Sequence, residues 1–585
     1  MIGGEPGDGE KEDRDGQVLR VTQTSDRGGM LMDRSTHLRD LVNAALRNPT
    51  SRRALLRRAA VAGLALPAAG GWLSRPGAPA AWAAPAKGGS ATIPATASPT
   101  SWELTKTDWI TWGSVNYLYD RLLDTDDSEN LKPMLATSWT VSKDGLTYTL
   151  KLRSGVRFHD GTPFNSAAAK FNFERHTMNK DSRYYPSWGQ MVDRIETPDD
   201  STVVVVLKQP NADMLYNFAD WGAIQISPTA MKALGKDYAS HPVGTGPFKF
   251  QSYVPDSHLQ YTANPQYWPK APMLDALTVN ILPDMNVEMD NLQAKTLDLL
   301  YYIDPKDVDT VKKLGAVVET RTVPGVSFIS MNLTQPPTSD LAVRKAIARS
   351  VDRDAMIKKI LYSYAVKSRA GASPQSHYYN ADVSMVDYNP NEAAKILDEA
   401  GWQKGPDGIR TRNGTRLSLS LLSANFQNQP LINQVVQQQL KVVGIDSQIT
   451  SLEWGTYLDT WRENKGGWNI TFGSQGSVFA STALMECSWQ PNAYWNICQL
   501  GKSTDPQIQK VAAQLMQIQN DALATPNQTK RRALAKQAQT LYQDNQFTVW
   551  LWHGQSLTAL QPYLKDYDME WHGRVVGLSR AWLNK

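Results

Sequence analysis

The stretch from Trp139 to Phe164 has the sequence WTVSKDGLTYTLKLRSGVRFHDGTPF, and it decides the fold more than any other part of the chain. Asp144-Gly145 is a turn dipeptide between two strand-like runs, which predicts a β-hairpin. In the second run, residues 147–152, apolar and polar side chains alternate as in a strand with one buried face. Asp160-Gly161 predicts a second tight turn. The stretch therefore begins as a hairpin and continues into another reversal of the chain.

The length and composition of the chain indicate a multidomain globular protein. Its 585 residues exceed what one hydrophobic core usually supports, so two or more domains are expected. A content of 41% hydrophobic and 20% charged residues is typical of a soluble protein. Beyond the N-terminal region, no apolar run approaches the ~18 residues that a membrane-spanning helix needs.

The N-terminal region has the composition of an export signal rather than of a domain. Residues 1–50 are polar without helical or strand periodicity, and residues 51–58 (SRRALLRR) are basic. A short apolar run follows at 59–73, before a Pro/Ala-rich stretch that ends at Ala83. A basic, an apolar and a small-residue part in this order predict a signal peptide within residues 1–83 that is cleaved near Ala83.

The arginine pair in the leader indicates the export route. The S-R-R-x-L-L pattern at residues 51–56 resembles a twin-arginine signal, which directs a folded protein across the membrane. The apolar run is too short and too rich in Gly and Ala for a stable membrane anchor, and no Cys near Ala83 favours a lipid anchor. Translation from Met32 instead of Met1 is a further expectation, because the first 31 residues are long for a leader. The alternative to an export signal is that the N-terminal region is a disordered Arg-rich tail.

The excess positive charge resides in the predicted leader. The formal net charge is +4, and residues 1–83 contain 12 of the 61 Lys and Arg and 9 of the 57 Asp and Glu. The remaining 49 basic and 48 acidic residues leave a net charge of +1 on the rest of the chain. This balance does not favour nucleic acid as a partner.

The chain contains two cysteines, Cys487 and Cys498, with ten residues between them. In an exported protein such a pair favours a local disulfide, worth roughly 2–4 kcal/mol. A metal site is the weaker alternative, since no His lies between or beside the two residues.

Several ordered blocks resemble one known family. In the opening stretch the matching positions are Trp139, Asp144, Leu152, Arg153, Phe158, Gly161 and Phe164. Residues 242–250 (PVGTGPFKF), 340–353 and 389–402 follow in the same order as motifs of the family 5 extracellular solute-binding proteins, the peptide/nickel-type receptors of ABC importers. The resemblance covers the chain from about residue 100 to the C-terminus.

The blocks also predict local structure. The glycines of residues 242–250 allow positive φ and close approach of another backbone segment. Asp340 predicts the start of a helix as its N-cap, and a second helix is expected to start at Asn389. Residues 202–208 predict a buried strand, and residues 116–123 predict a short helix.

The resemblance implies an α/β protein with the two-lobe periplasmic-binding-protein fold, type II and cluster C-like, with hinge strands and an extra subdomain in lobe I. Lobe I is expected to comprise residues 84–325 with 548–585, and lobe II residues 326–547. The two crossovers between them are expected near 325–328 and 548–551, where the sequence is strand-like.

Ligand contacts in the family cluster in three segments, which fall at 111–113, 369–374 and 467–476 of this chain. Arg369 is a candidate for binding a carboxylate or phosphate, although a solvated loop arginine is an equally good interpretation. For any single tryptophan, packing in the core is the more common role. The candidate ligand-binding residues are Trp112, Arg369, Tyr378, Trp454, Trp468, Ser474, Gln475 and Trp495. Trp489 is a further candidate for lining the pocket, and Tyr378 and His377 are the weaker candidates.

The third segment departs from the family pattern. Peptide receptors carry an Asp here that pairs with the α-ammonium of the ligand, whereas this chain has Ser474 and Gln475 in that vicinity and no Asp. A buried ammonium without a counter-charge is costly. The departure favours a more neutral solute, such as a sugar-like, modified or opine-like molecule.

The resemblance implies a periplasmic receptor, expected to be monomeric, that captures a peptide-like or related solute and delivers it to an ABC permease. No cofactor or metal is expected, since the eight histidines are scattered. A receptor for a non-peptide solute is the first alternative. A secreted hydrolase on the same scaffold is the second, and the chain contains neither G-x-S-x-G nor H-E-x-x-H.

Overall fold

The hairpin of the opening stretch is present in the computed structural model of the chain. The structure describes residues 88–99, 101–103, 105, 117–475, 498–569 and 576–585. These residues fall within one unit, Ala84–Lys585.

The strands form three larger sheets and several short pairs. In chain order they are β1 Ser90–Ala95, β2 Leu123–Thr125, β3 Leu131–Pro133, β4 Ala136–Val141, β5 Thr147–Leu152, β6 Val192–Asp199, β7 Thr202–Leu207, β8 Phe248–Val254, β9 His258–Ala263, β10 Ala276–Ile281, β11 Leu299–Leu300, β12 Val317–Thr322, β13 Val326–Met331, β14 Ala365–Lys367, β15 Gln403–Lys404, β16 Arg410–Arg412, β17 Thr415–Arg416, β18 Ser418–Ala424, β19 Asp446–Leu452, β20 Ile470–Gln475, β21 Thr548–Leu560, β22 Leu564–Lys565 and β23 Trp582–Leu583.

The two longest helices among the described residues, Pro506–Ala524 and Gln528–Asp544, lie near the C-terminal end of the chain. In chain order they are α1 Ser166–Thr177, α2 Met214–Asn217, α3 Pro228–Leu234, α4 Met285–Gln293, α5 Val308–Lys313, α6 Leu341–Ser350, α7 Arg353–Ile360, α8 Pro390–Glu399, α9 Gln429–Val442, α10 Trp454–Glu463, α11 Pro506–Ala524, α12 Gln528–Asp544 and α13 Val576–Arg580. In the described part of the chain, no helix has both the length and the apolar composition needed to cross a bilayer.

The opening stretch lies in an antiparallel sheet of order β4-β5-β7-β6. β4 and β5 form the predicted hairpin, with Gly145 at φ +72°, and Gly161 in the second turn has φ +84°. β5 buries alternate residues, and β7 is almost entirely buried because it lies between β5 and β6. With α1, this sheet forms what we call the insert subdomain, residues 122–223. The hairpin, the second turn and the buried strand are therefore confirmed.

A second sheet has the order β1-β10-β9-β8 and is mixed. β1 runs parallel to β10, and β9 is antiparallel to both of its neighbours. Its buried face includes Ile93, Leu259 and Leu277, which pack in a core that is separate from the core of the insert subdomain. The sheet brings together strands that are far apart in sequence, since β1 precedes the insert subdomain and β8–β10 follow it.

The Gly-Thr-Gly-Pro turn packs against the backbone at Leu118. A Cβ on Gly244 would lie 2.1 Å from the Leu118 carbonyl oxygen, and a Cβ on Gly246 would lie 2.4 Å from the Leu118 carbonyl carbon. The expected close backbone approach is confirmed. The predicted helix at 116–123 is wrong for the described residues, because the carbonyl oxygens of Tyr117 and Leu118 accept from the N–H groups of Phe248 and Gly246.

The largest sheet has the order β11-β21-β13-β20-β18-β19, and β12 and β14 also pair with β21. β18 runs parallel to both β19 and β20, whereas β13 is antiparallel to β20 and β21. α9 buries Ile432, Val436 and Leu440, which are four residues apart and join the core under β18. The predicted starts of α6 and α8 are confirmed, since Asp340 and Asn389 accept hydrogen bonds from N–H groups of the first turn.

The strand β21 takes part in two sets of pairings. Its first residues, Thr548–Trp552, pair with β13, and its last residues, Gln555–Leu560, pair with β12. Between them, the Gly554 carbonyl oxygen accepts from Val323 N–H (2.9 Å), next to the three-residue link from β12 to β13. The chain therefore crosses twice between the part of the large sheet that contains β13 and the part that contains β12. We call these two crossings the passages: one is the link from β12 to β13, and the other is the part of β21 around Gly554, which lies beside it.

His553 connects the two passages. Its Nδ1 donates to the Gly325 carbonyl oxygen (3.0 Å), and its Nε2 lies 3.0 Å from Ser368 Oγ. The ring is fully buried, and this burial lowers the pKa of His553 to about 4. A neutral imidazole therefore ties the link after β12 to the middle of β21.

Candidate functional site

The parallel strands of the large sheet end at one edge. Because β18 is parallel to β19 and to β20, the carboxyl ends of all three strands lie at the same edge. Ala424 at the end of β18 is paired with Leu452 at the end of β19. In open α/β sheets, ligands bind in the crevice outside the carboxyl ends of the strands. We call residues 425–428, 453–454 and 474–475 the carboxyl edge.

The same edge is where the chain leaves the sheet. Gln475 and Ser474 of β20 pair with Val326 and Ser327, the first residues of β13 after the link from β12. β21 also reaches this edge, where Trp552 pairs with Ser327 before the strand continues toward β12. Both passages therefore start at the carboxyl edge, so this edge faces the part of the molecule that contains β12. A ligand cleft between two lobes requires this orientation.

Two large aromatic side chains are exposed at the carboxyl edge. Phe426 is 41% exposed and Trp454 is 38% exposed, and their ring centroids are 4.8 Å apart. Each follows its strand by two residues, and the Asn425 N–H donates to the Leu452 carbonyl oxygen (2.8 Å), which holds the two loops together. Apolar rings that stay in contact with water at a strand end are typical of a ligand site.

The described residues of the carboxyl edge suit binding better than chemistry. They are mostly uncharged, and Glu453 already accepts hydrogen bonds from the N–H groups of Gly455 and Thr456 as the N-cap of α10. Ser474 is exposed at the end of β20. No group of three or more His, Cys, Asp or Glu side chains that could hold a metal occurs in the described ranges.

A buried ion pair connects the insert subdomain to α12. Arg531 Nη2 donates to Asp213 Oδ1, and the Arg531 side chain is fully buried. Burial alone would lower the pKa of Arg531, but the Asp213 carboxylate outweighs it, so the pKa of Arg531 is raised. The guanidinium also lies over the Tyr216 ring, 6.0 Å from its centroid. The Ala212 N–H donates to the Leu523 carbonyl oxygen (2.8 Å), so α11 contacts the same surface.

A second polar contact lies near this ion pair. Ser376 Oγ donates to Glu129 Oε2 (2.6 Å), and the His377 N–H donates to the Ser128 carbonyl oxygen (3.3 Å). Glu129 is buried, and this burial raises its pKa. The loop that follows β14 therefore packs against the turn between β2 and β3, through groups separated by about 250 residues in sequence.

A comparison with protein families identifies the family to which the chain belongs. The model of the bacterial extracellular solute-binding proteins, family 5 middle region, matches residues 130–492, well over half of the chain. The chain belongs to this family. Membership confirms the resemblance drawn from the sequence, and it makes the protein a solute receptor of the type that serves ABC importers.

Two curated relatives cover most of the chain. The dipeptide-binding protein of Escherichia coli K12 is 29% identical over 488 residues, which is 77% of this chain and 86% of the relative. The glutathione-binding protein GsiB of Pectobacterium atrosepticum is 32% identical over 449 residues, which is 74% of this chain and 80% of the relative. Both are named as binding proteins, and neither is named as an enzyme.

Solved structures confirm the two-lobe fold. NikA from Brucella suis, in complex with Fe(III)-EDTA, is similar with a TM-score of 0.75 and 24% identity over 84% of this chain and 99% of NikA. DppA from Helicobacter pylori, in complex with the peptide STSA, has a TM-score of 0.65 and 25% identity over 85% of this chain and 98% of DppA.

The ligand-binding residues predicted from the sequence do not all lie in one place in the structure. Trp454 and Ser474 lie at the carboxyl edge, and Gln475 ends β20 there with its side chain outside the described atoms. Trp468 precedes the amino end of β20, at the opposite edge of the sheet, and is 1% exposed in the core. Its carbonyl oxygen accepts from Asn332 Nδ2 (2.9 Å), as a structural residue would.

Arg369 and Tyr378 make contacts within the protein. Arg369 Nη1 donates to the carbonyl oxygen of Ala381 (2.7 Å), so the guanidinium holds its own loop. Tyr378 is fully buried, and its hydroxyl donates to Gln528 Oε1 (2.8 Å). His377, next to it, packs against the Tyr378 ring at a tilt of 41°, and burial lowers the pKa of His377 to about 4.

Part of the predicted site lies outside the described residues. This applies to Trp112, Trp489, Trp495 and Cys487. Cys498 is described and buried, with Sγ 2.7 Å from the Tyr542 hydroxyl and 3.2 Å from Thr548 Oγ1. No disulfide occurs among the residues that the structure describes, and the Cys487–Cys498 bridge stays a prediction.

Sequence reasoning missed Phe426, Asp213 and Arg531. A signal existed for Phe426, because residues 418–424 have the alternation of a strand and the carboxyl ends of parallel strands form ligand sites. No signal existed for the ion pair, since Asp213 and Arg531 are 318 positions apart.

The ion pair should show strong coupling in a double-mutant cycle. Removing one partner leaves a buried charge uncompensated, so Arg531→Met is expected to lower the free energy of unfolding by about 3–5 kcal/mol. Asp213→Ala combined with Arg531→Met should cost about 2 kcal/mol less than the sum of the two single changes. Urea unfolding followed by circular dichroism measures all three; strictly additive effects would contradict the coupling.

Trp468 and Trp454 should differ in what they stabilise. Trp468→Ala creates a cavity in the core and is expected to cost about 3–5 kcal/mol. Trp454→Ala removes a ring that is already partly exposed, so about 1 kcal/mol or less is expected. Thermal unfolding of the two variants beside the wild type provides the measurement. A similar loss of stability in both would show that Trp454 is a core residue as well.

Proposed function

We propose that this protein captures a short peptide-like solute between its two lobes, outside the cytoplasm, and delivers it to an ABC permease in the membrane. The observation that carries the proposal is the carboxyl edge, where three parallel strands end and both chain passages leave the sheet. Exposed rings at Phe426 and Trp454 give this edge a surface for a ligand.

The proposed lobe I comprises residues 84–325 with 548–585, and the proposed lobe II comprises residues 326–547. The pairing of β21 supports two lobes joined by this strand, because it pairs with β13 over Thr548–Trp552 and with β12 over Gln555–Leu560. By this pairing the crossover within β21 lies just after Trp552, a few residues beyond the proposed boundary at 548. Binding of the solute closes the lobes by rotation about the two passages, and the closed form docks on the permease.

The relatives support a short peptide as the solute, since one is named for dipeptides and another for glutathione. A second candidate is a non-peptide solute, such as an opine or an oligosaccharide. The sequence of residues 467–476, GWNITFGSQG, favours it because this segment offers no Asp for a peptide's α-ammonium.

The protein binds its solute without changing it. The mostly uncharged carboxyl edge supports this part of the proposal, since acid–base catalysis would need a positioned proton donor or acceptor there. A secreted hydrolase on the same scaffold is the competing function. No cofactor and no nucleic acid takes part, and the receptor acts as a monomer.

The proposed route to the periplasm uses residues 1–83 as a leader with a twin-arginine signal, cleaved near Ala83. A disulfide between Cys487 and Cys498 forms after export. Mass spectrometry of unreduced peptides from the secreted protein should find these two residues linked, and the first residue of the mature chain near 84. Two separately alkylated cysteines would refute the bridge, and a retained N-terminus would refute the cleavage.

Native mass spectrometry tests the function directly. The protein purified from its host without denaturation should carry a non-covalent adduct of small mass, whose fragmentation identifies a peptide or a non-peptide solute. Protein that has been unfolded in urea, dialysed and refolded is the control and should lack the adduct. Turnover of the identified solute, abolished by one substitution of an acidic residue, would instead establish the hydrolase.

A further inference from the structure

The exposed rings of the carboxyl edge belong to a ladder of four aromatic side chains. Trp454 lies between Phe426 and Tyr457, with ring centroids 4.8 Å and 5.6 Å away. Tyr457 continues to Trp461 at 5.7 Å. Tyr457 and Trp461 are buried, whereas the first two rings are open to solvent. The ladder thus runs from the core to the ligand side of the sheet.

The ladder is fixed from below. The Tyr457 hydroxyl donates to the Phe472 carbonyl oxygen on β20 (2.9 Å), and Tyr457 is stacked on Trp454 with an interplanar angle of 22°. Phe426 is held by the Asn425 hydrogen bond to Leu452. The two exposed rings are therefore positioned in advance, which reduces the entropy that binding would cost.

The described residues of the carboxyl edge include no positively charged side chain. Asn425, Gln427 and Asn428 follow β18, and Glu453 is occupied as the cap of α10. Neither Lys, Arg nor His occurs among residues 425–428, 453–454 and 474–475. Among these described residues a ligand carboxylate would find no counter-charge, whereas an uncharged group with a flat apolar face gains contact with the rings and hydrogen bonds from the side-chain amides.

We infer that Phe426 and Trp454 determine specificity by stacking on an uncharged, flat, apolar group of the solute. This inference rests on the proposed receptor function and names the chemical class that lobe II accepts. The group is either the aromatic side chain of a short peptide or the C–H face of a sugar ring, since both present an uncharged flat surface to an aromatic ring.

Isothermal titration calorimetry of the full chain with three probes tests the inference: the dipeptide Ala-Phe, the dipeptide Ala-Asp and the disaccharide cellobiose. Wild type should bind Ala-Phe or cellobiose at least about tenfold more tightly than Ala-Asp. Preference for Ala-Phe would assign the rings to an aromatic side chain, and preference for cellobiose would assign them to a sugar.

Variants locate the preference in the two rings. Phe426→Ala and Trp454→Ala should each lower the affinity for the preferred probe about tenfold and leave the affinity for Ala-Asp unchanged. Trp454→Phe should retain most of the affinity for the preferred probe. Tyr388→Ala is the matched control, since Tyr388 is also 41% exposed but precedes α8. Thermal unfolding checks that each variant is folded.

Two results would overturn the inference and leave the receptor function standing. In one, the two alanine variants weaken the binding of every probe by the same factor; in the other, neither alanine variant changes the affinity for the preferred probe. A wild type that prefers Ala-Asp also overturns it. If wild type binds none of the three probes, the inference fails, and native mass spectrometry then decides separately whether the receptor function fails too.

Discussion

The hydrogen-bonded pairing of β21 with two different partners is the constraint on which the rest of the structure depends. The strand pairs with β13 over Thr548–Trp552 and with β12 over Gln555–Leu560, so one element belongs to both halves of the molecule. Because β20 lies beside β13, the same pairing places the carboxyl ends of β18, β19 and β20 next to the passages. The carboxyl edge and the two passages are therefore consequences of one sheet register.

The sequence was most informative where structure is local. The Asp144-Gly145 turn and the cap at Asp340 each depend on a few neighbouring residues, and each is confirmed. The close approach at Gly246 is confirmed too, although its partner Leu118 is 128 positions away, because the glycines themselves mark a place where another segment can approach. The helix expected at 116–123 was wrong for the described residues, because the carbonyl groups of Tyr117 and Leu118 bond to residues more than 120 positions away, which no local pattern shows. Trp468 lies in a segment that matches a ligand-contact motif of the family, but it is buried next to the amino end of β20. A sequence motif does not show at which end of a strand a residue lies.

Scaffold and specificity are carried by different residues. The family is identified by turns, caps and buried strands, which are positions that any member needs in order to fold. Two of the most exposed aromatic residues at the carboxyl edge, Phe426 and Trp454, contribute little to that core. The role proposed for them is on the ligand surface, whose chemistry the sheet leaves open because side chains beyond a strand end are less constrained by packing.

The position of β21 near the C-terminus also bears on how the chain matures. Its partners β12 and β13 are made more than 200 residues earlier, so the large sheet is incomplete until almost the entire chain has been synthesised. Such long-range pairing is slow to form, and the unpaired edge of β13 is open to wrong partners in the meantime. A chain with this topology gains from completing its fold beside cytoplasmic chaperones before it crosses a membrane, which is what the proposed twin-arginine route provides.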